Sequence, residues 1–130
     1  MKHPKLDLSY LTARLSLTPD ICRLAGAVRT SPTGKPMPGL NKYSVWSYTR
    51  EFKNERAFFR SICKFIDELR PRKSVFLKVA SNGGSSELIV ELPGDINLGD
   101  SISWKSLKQL SAFHISLGVE VFPKFGDRTD

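Results

Sequence analysis

The chain has 130 residues, of which 40% are hydrophobic and 25% charged, and its formal net charge is +7. This length supports one hydrophobic core, so we expect a single domain over 1–130, with an ordered core at 6–123 and mobile tails at 1–5 and 124–130. No apolar run approaches the ~20 residues of a membrane-spanning helix, which argues against a membrane partner. The excess of positive charge favours anionic partners.

We expect no secretion signal at the first residues. Met1–Lys5 is positively charged, but Asp7 and Thr12 interrupt the apolar region that a signal peptide requires. We therefore expect a cytoplasmic protein. Cys22 and Cys63 are far apart and lie in no metal-binding or redox motif, so we expect two reduced thiols that serve as buried packing on separate helices.

The first two predicted elements are a strand and a short helix. Apolar and polar residues alternate over Tyr10–Leu17, which is the pattern of a strand with one buried face. Thr18–Asp20 then supplies a capping hydroxyl, a first-turn proline and an acid that suits a helix N-terminus. The sequence therefore predicts a short helix through Ile21 and Leu24 that ends at Gly26.

A long segment rich in proline and glycine follows over Arg29–Lys42. It suits neither a helix nor a central strand, and long loops in compact domains are often functional. Pro36 and its neighbouring prolines remove or constrain the amides that a phosphate-binding loop at Gly34-Lys35 would need. We interpret the segment as a partly rigid recognition loop. Together with the next strand it supplies the candidate partner-binding residues Pro32, Thr33, Gly34, Lys35, Met37, Trp46 and Tyr48.

The middle of the chain predicts a strand and then a helix. Tyr43–Thr49 is aromatic and β-branched, and its alternation places Trp46 and Tyr48 on one face. These aromatic residues either pack in the core or stack on nucleic-acid bases. Asn54–Leu69 has helical periodicity and is followed by Pro71, which ends the helix. The predicted apolar face consists of Phe58, Phe59, Ile62, Phe65, Ile66 and Leu69.

Two further alternating runs predict a hairpin. Val75–Val79 and Glu87–Leu92 each have the period of a strand. Ser81–Ser86 joins them, and its asparagine and glycine residues suit a tight turn. We therefore expect these two strands to be antiparallel neighbours.

The predicted fold is completed by a helix and a last strand. Ser103 is a suitable N-cap for a helix that buries Trp104, Leu107 and Leu110, and Ile115–Val121 alternates as a strand. The resulting order, β-α-β-α-β-β-α-β, predicts an α+β fold. We expect a single two-layer sandwich with about five strands, a mainly antiparallel sheet and about three helices, partly resembling a ferredoxin-like arrangement.

A basic stripe is the most specific charged feature. Part of it lies on the predicted helix opposite the apolar face, and the rest continues beyond the helix end. Either this is a solvated surface partly neutralised by Asp67 and Glu68, with Lys64 and Glu68 as an i,i+4 pair, or it contacts phosphates without reading sequence. The candidate anion-binding and nucleic-acid-binding residues are Lys53, Arg56, Arg60, Lys64, Arg70, Arg72 and Lys73.

No catalytic, metal or cofactor motif is recognisable. His3 lies in the predicted N-terminal tail, and His114 has no acid or nucleophile at a telling spacing, which favours a structural histidine. Asp95 and Asp100 flank a glycine-containing turn and are better explained as turn residues than as metal ligands. We therefore expect no enzymatic activity and no cofactor; an active site would have to form from residues distant in sequence.

Several of these features occur together in a pattern similar to a known family. They are Thr18-Pro19-Asp20, Pro32-Thr33-Gly34, Trp46, Leu69-Arg70-Pro71 and Ser116–Val121. The pattern resembles the bacterial domain of unknown function family 4279, and the resemblance covers roughly 8–122. It implies a compact cytosolic bacterial domain with no assigned activity, cofactor or catalytic residue. The Pro36-Met37-Pro38 insert is richer in proline than the family pattern.

Two functions from different classes fit these features. The leading hypothesis is a non-enzymatic protein-binding module, of the inhibitor or immunity type, that uses the proline-rich loop and the aromatic strand. Its partner is expected to be an acidic protein, because the chain is basic. The alternative is sequence-independent nucleic-acid binding through the basic stripe. A homodimer is a further possible assembly.

Overall fold

Strands and α-helices are mixed along the chain, as the predicted α+β class requires. The computed structural model describes residues 1–52 and 55–123. The strands are β1 (Lys2–His3), β2 (Ile21–Arg23), β3 (Val28–Thr30), β4 (Pro36–Leu40), β5 (Ser44–Ser47), β6 (Ser86–Pro93) and β7 (Ile115–Phe122). The α-helices are α1 (Leu11–Leu15), α2 (Phe58–Leu69), α3 (Lys73–Ser81) and α4 (Trp104–Ala112), and 3-10 turns occupy Glu55–Ala57 and Arg70–Arg72. The α+β class is thus confirmed.

The described strands form three small sheets. The first has the order β1-β5-β2 and is antiparallel, the second is the antiparallel pair β3-β4, and the third is the parallel pair β6-β7. Two backbone hydrogen bonds of 2.9 Å join Lys2 to Ser85 and so link the first sheet to the third. The sheets on which the helices pack are therefore connected at the start of β6.

The first two predicted elements are wrong. Tyr10–Leu17 contains helix α1, because Leu8, Leu11 and Leu15 have the helical i, i+3, i+7 spacing and all three are buried. The predicted helix after Thr18–Asp20 is strand β2, which pairs with β5. Instead of lying in the first turn of a helix, the Asp20 carboxylate accepts a hydrogen bond from the backbone N–H of Thr49.

The predicted strand Val75–Val79 is also wrong, since it lies in helix α3. Phe76 and Val79 are buried one helical turn apart, and the Phe76 ring packs edge-on against Phe113 at 5.6 Å between centroids. Without a strand at this position, β6 pairs with β7 across the helical connection α4. This parallel β-α-β unit replaces the expected antiparallel hairpin, because parallel neighbours need such a crossover.

The N-terminal residues are held in place, although we expected a mobile tail at 1–5. His3 is 6% exposed and lies in β1. Its Nδ1 accepts hydrogen bonds from the backbone N–H groups of Lys5 (2.9 Å) and Leu6 (2.8 Å), which assigns the ring proton to Nε2. Nε2 then donates to the carbonyl oxygen of Asn82 at 2.6 Å. The expected C-terminal tail, 124–130, lies outside the described residues.

The other predicted elements are confirmed, with one error of burial. Strands β5, β6 and β7 and helix α4 lie where the patterns place them, and α2 matches the predicted helix from Phe58 onward. The predicted start of that helix, Asn54, lies outside the described residues. Ser103 caps α4, because its Oγ accepts a hydrogen bond of 3.2 Å from the Ser106 N–H. Leu110 is buried, but Trp104 is 69% exposed and Leu107 is 45% exposed, so the prediction that α4 buries them is wrong.

The main core lies where the helices meet the sheets. Strand β5 contributes the indole of Trp46, and β7 contributes Ile115. A smaller cluster joins Phe58 of α2 to Val90 and Leu92 of β6. The buried residues of the main core are Leu8, Leu11, Leu15, Trp46, Ile66, Leu69, Phe76, Val79, Leu110, Phe113 and Ile115.

Candidate functional site

The proline-rich segment is a β-hairpin. Beyond the paired strands β2 and β5, backbone hydrogen bonds of 2.8 and 2.9 Å connect Asn41 to Gly26 and Ala27, and β3 then pairs with β4. Every residue of Val28–Leu40 is exposed except Ser31, which is half-buried. We call this exposed segment, Val28–Leu40, the hairpin. The segment is therefore a paired ribbon and not the uninterrupted loop that its composition indicates.

The sequence of the hairpin tip fits a tight turn. The Gly34 N–H donates to the Ser31 carbonyl at 2.9 Å, and the Lys35 N–H donates to the Ser31 Oγ at 3.1 Å. Pro32 occupies the second position of this turn, where its fixed φ is favourable. Gly34 has a φ of +84°, which favours glycine. The tip is thus restrained before any partner is bound.

The prolines of β4 are tolerated because the hairpin has only two strands. Val28 pairs with Leu40 and Thr30 pairs with Pro36, so β4 has extra residues between the two pairs and forms a bulge. Proline lacks an N–H, and it is accepted in strands at free edges and bulges. The same composition that excludes a central strand is therefore compatible with this ribbon.

The hairpin combines a basic character with exposed apolar side chains. No aspartate or glutamate occurs between Asp20 and Glu51. Val28 and Leu40, which face each other across the ribbon, are 56% and 59% exposed, and Met37 is 37% exposed. Neither ion pair found among the described residues involves this segment. The basic residues of the ribbon and its base are Arg23, Arg29, Lys35 and Lys42.

The aromatic half of the predicted site is not part of this surface. Trp46 is 4% exposed, and its Nε1 donates to the Thr12 Oγ1 at 3.1 Å inside the fold. Tyr48 stacks on Phe65 with 6.0 Å between ring centroids, and the Arg50 guanidinium lies 4.7 Å from the Phe65 ring. The structure therefore brings together Pro32, Thr33, Gly34, Lys35 and Met37, and it separates Trp46 and Tyr48 from them.

Trp46 instead lines a small pocket of about 90 Å³ with Phe65, Phe76 and Leu88. Met1 also lines it, and burial lowers the pKa of the Met1 amino group; Lys2 adds to this shift and Glu87 opposes it. Pockets that hold drug-sized ligands measure roughly 300 to 1,000 Å³. We therefore assign no ligand to this pocket.

The basic stripe is less continuous than predicted. Exposed side chains occur at Arg56, Arg60, Lys64, Arg70 and Arg72, and Arg70 pairs with Asp67 at 2.8 Å. The Nζ of half-buried Lys73 lies 5.9 Å from the Phe113 ring, and Lys53 lies outside the described residues.

The expected Lys64–Glu68 pair is replaced. Glu68 accepts a hydrogen bond of 2.7 Å from Arg50, and this bond raises the pKa of the arginine.

The remaining candidate groups are one histidine and the two cysteines. His114 is exposed and has a φ of +55°, and its N–H donates to the Ser111 carbonyl at 2.9 Å. Cys63 is half-buried and its Sγ lies 3.2 Å from the Ser106 Oγ. Cys22 is an exposed free thiol in β2, so its predicted burial in a helix is wrong.

The predicted turn around Asp95 and Asp100 also secures helix α2. The Asp100 carboxylate accepts hydrogen bonds from the N–H groups of Phe59 (3.0 Å) and Ser101 (2.8 Å). Among residues 1–52 and 55–123, no three His, Cys, Asp or Glu side chains are grouped so that they could hold a metal ion. Within the same part of the chain, no helix is long and apolar enough to cross a membrane.

Comparison with known proteins adds no relative. No family model matches this chain, and neither a curated protein nor a solved structure matches it. The resemblance to family 4279 therefore stays a prediction, and the hairpin is assessed on its own chemistry.

Proposed function

We propose that this protein is a non-enzymatic cytoplasmic binding module that docks its hairpin on an acidic protein surface with an apolar centre. The observation that carries this proposal is the opposed pair Val28 and Leu40, both more than half exposed within a segment that has no acidic residue. Nucleic-acid backbones attract the charges of such a ribbon but do not require its apolar pair. An apolar centre with a charged rim is typical of protein interfaces.

The hairpin has the physical properties of a restrained ligand-binding element. Pro32 and the hydrogen bonds at Ser31 restrict the tip, which lowers the conformational entropy lost on binding. Burying the exposed parts of Val28 and Leu40 is worth about 1 kcal/mol for each side chain. Arg29 and Lys35 would lie at the rim of the contact, where charges mainly increase the association rate.

Affinity purification from the native host tests this function. The tagged wild-type protein is compared with Arg29→Glu/Lys35→Glu, and with Lys78→Glu/Lys108→Glu as a control of equal charge change at exposed helical positions. We expect the wild type and the control to retain the same partner, a protein with an acidic surface, and the hairpin variant to lose it. Equal recovery by all three proteins, or no protein above background with the wild type, contradicts the proposal.

Nucleic-acid binding through α2 remains the second candidate. Arg60 and Lys64 lie one turn apart on an exposed side of this helix, and neither belongs to an ion pair found among the described residues. Binding through them would weaken steeply with salt, because each neutralised phosphate releases counterions. A mobility-shift titration of the wild type and Arg60→Glu/Lys64→Glu tests this candidate. No shift at low salt, or equal shifts by both proteins, contradicts it.

A further inference from the structure

The parallel sheet β6-β7 packs on the core with one face of β6, although Val119 and Val121 of β7 on that side are 52% and 59% exposed, and its opposite face is open. On the covered face, Val90 and Leu92 pack against Phe58 of helix α2. The alternate residues point away from the core, and among them Ile89 is 46% exposed and Phe122 is 54% exposed. Parallel sheets are normally covered on both faces, so this open face is unusual for its type. Its residues are Glu87, Ile89, Glu91, Pro93, Ser116, Gly118, Glu120 and Phe122.

Gly118 leaves the centre of this open face without a side chain on β7. A Cβ atom added at Gly118 would lie 3.6 Å from the Glu87 Cδ and 3.6 Å from the Ile89 Cγ1, so both side chains border the position. Gly118 pairs in register with Ile89. Because Gly118 has no side chain, the side chain of Ile89 is accessible from the side of β7.

The open face is acidic, in contrast with the hairpin. Glu91 and Glu120 are in register on neighbouring strands, and both are exposed. Like charges directly opposite each other in a sheet are destabilising, and a cationic partner relieves this repulsion. The sequence has no lysine or arginine between Lys78 and Lys105. The face therefore presents apolar side chains within a negatively charged surround.

We propose that a second copy of this chain is a partner of the hairpin, which docks on the open face of β6-β7. This inference rests on the proposed function, since it names the acidic surface that the hairpin recognises. The complementarity is twofold: Val28 and Leu40 would cover Ile89, and Arg29 would face the repelling glutamate pair. The hairpin and the face are both two strands wide, which suits packing of one sheet on the other.

The arrangement also limits the assembly that can form. Each copy has one hairpin and one open face. Two copies related by a two-fold axis can therefore each dock the hairpin on the open face of the other, so that both hairpins and both faces are covered. Without that closure, the same contact would produce an open chain of copies. Because the protein has a net charge of +7, bulk repulsion opposes association and the local charge complementarity must overcome it. The closed dimer is the assembly we infer.

Sedimentation velocity over a concentration series tests the inference directly. The proteins are the wild type, Arg29→Glu/Lys35→Glu, Glu91→Lys/Glu120→Lys, the quadruple variant that combines them, and the control Lys78→Glu/Lys108→Glu. We expect the wild type and control to dimerise and each double variant to weaken the dimer by at least about tenfold. The quadruple variant, in which the charges are exchanged, should recover most of the affinity. Circular dichroism verifies that each variant is folded.

The dependence of the dimer affinity on salt concentration distinguishes this charged contact from a purely apolar one. Raising the ionic strength from about 0.05 to about 0.5 M shortens the screening length to a few ångströms and should weaken the wild-type dimer. A monomer at every concentration in low salt overturns the inference, and so does a dimer that neither double variant weakens or that the quadruple variant does not recover. If the protein stays monomeric while Arg29→Glu/Lys35→Glu still loses its captured partner, the proposed function stands and only the second copy is wrong.

Discussion

Replacing Val28 and Leu40 with serine should separate binding from folding. Both side chains are more than half exposed, so folding already recovers less than half of their burial energy. Full burial of a valine or leucine side chain is worth about 1.5 to 3 kcal/mol. We therefore expect Val28→Ser/Leu40→Ser to lower the free energy of unfolding by about 2 kcal/mol or less. The burial energy that folding leaves ungained, about 2 kcal/mol for the two side chains, is available only when the partner binds. Its removal should therefore lower the partner affinity roughly 30-fold.

A competition assay measures this loss without a purified partner. Untagged protein is added in increasing amounts to tagged wild type during capture from native-host extracts, and the concentration that halves recovery is compared between variants. Leu6→Ser/Leu107→Ser is the matched control, because these leucines are 49% and 45% exposed outside the hairpin. Urea unfolding reports the stability of each protein. If Val28→Ser/Leu40→Ser competes as well as the wild type, or if the control loses as much, the hairpin's apolar pair is not a contact surface.

The remaining predictions concern the fold that supports the hairpin. Phe113→Ala should lower the free energy of unfolding in urea by about 3 to 5 kcal/mol, because Phe113 is 2% exposed and packs on Phe76; a loss below 1 kcal/mol would contradict this packing. His3→Leu should lower the free energy of unfolding by about 1 to 3 kcal/mol, because the Lys5 N–H and the Asn82 carbonyl oxygen lose their hydrogen-bonding partner. An unchanged urea midpoint would argue against the buried ring. His114→Gly should stabilise the protein by about 1 kcal/mol by removing strain at a positive φ, and destabilisation would refute that reasoning. Gly34→Val should accelerate hydrogen exchange in the hairpin alone; unchanged exchange there would contradict the positive-φ turn.

The helices that were predicted correctly from the sequence each have residues that fit only a helix. Helix α2 combines a wide apolar face with Pro71 after its end, and α4 begins at the capping residue Ser103. The segments that form α1 and α3 are short, and their apolar residues fit both a two-residue and a helical period. Leu11 and Leu15 belong to an alternating run, yet they also lie on one side of a helix. In such segments, tertiary packing determines the structure.

The pairing of strands that are distant in the sequence could not be predicted from local residue patterns. Strands β6 and β7 are neighbours only because α4 crosses between them, and neither strand's own sequence specifies a parallel partner. The hairpin had a usable signal in Ser31–Lys35, where Pro32 suits the second position of a tight turn and Gly34 suits the fourth. The prolines of β4 obscured that signal. Trp46 was placed on the correct strand, but its depth depends on helices packed from elsewhere in the chain.

Removing the hairpin tests the central claim most directly. Val28–Leu40 can be replaced by a two-residue Asn-Gly turn, because the hydrogen bond of 2.9 Å between Ala27 and Asn41 already closes the ribbon at that point. The measurement is quantitative partner capture by the shortened and full-length proteins, with urea unfolding of both. We predict that the shortened protein still unfolds cooperatively and does not capture the partner that the full-length protein retains. A folded, shortened protein that captures the same partner at the full-length level would contradict the claim that the hairpin is the binding surface.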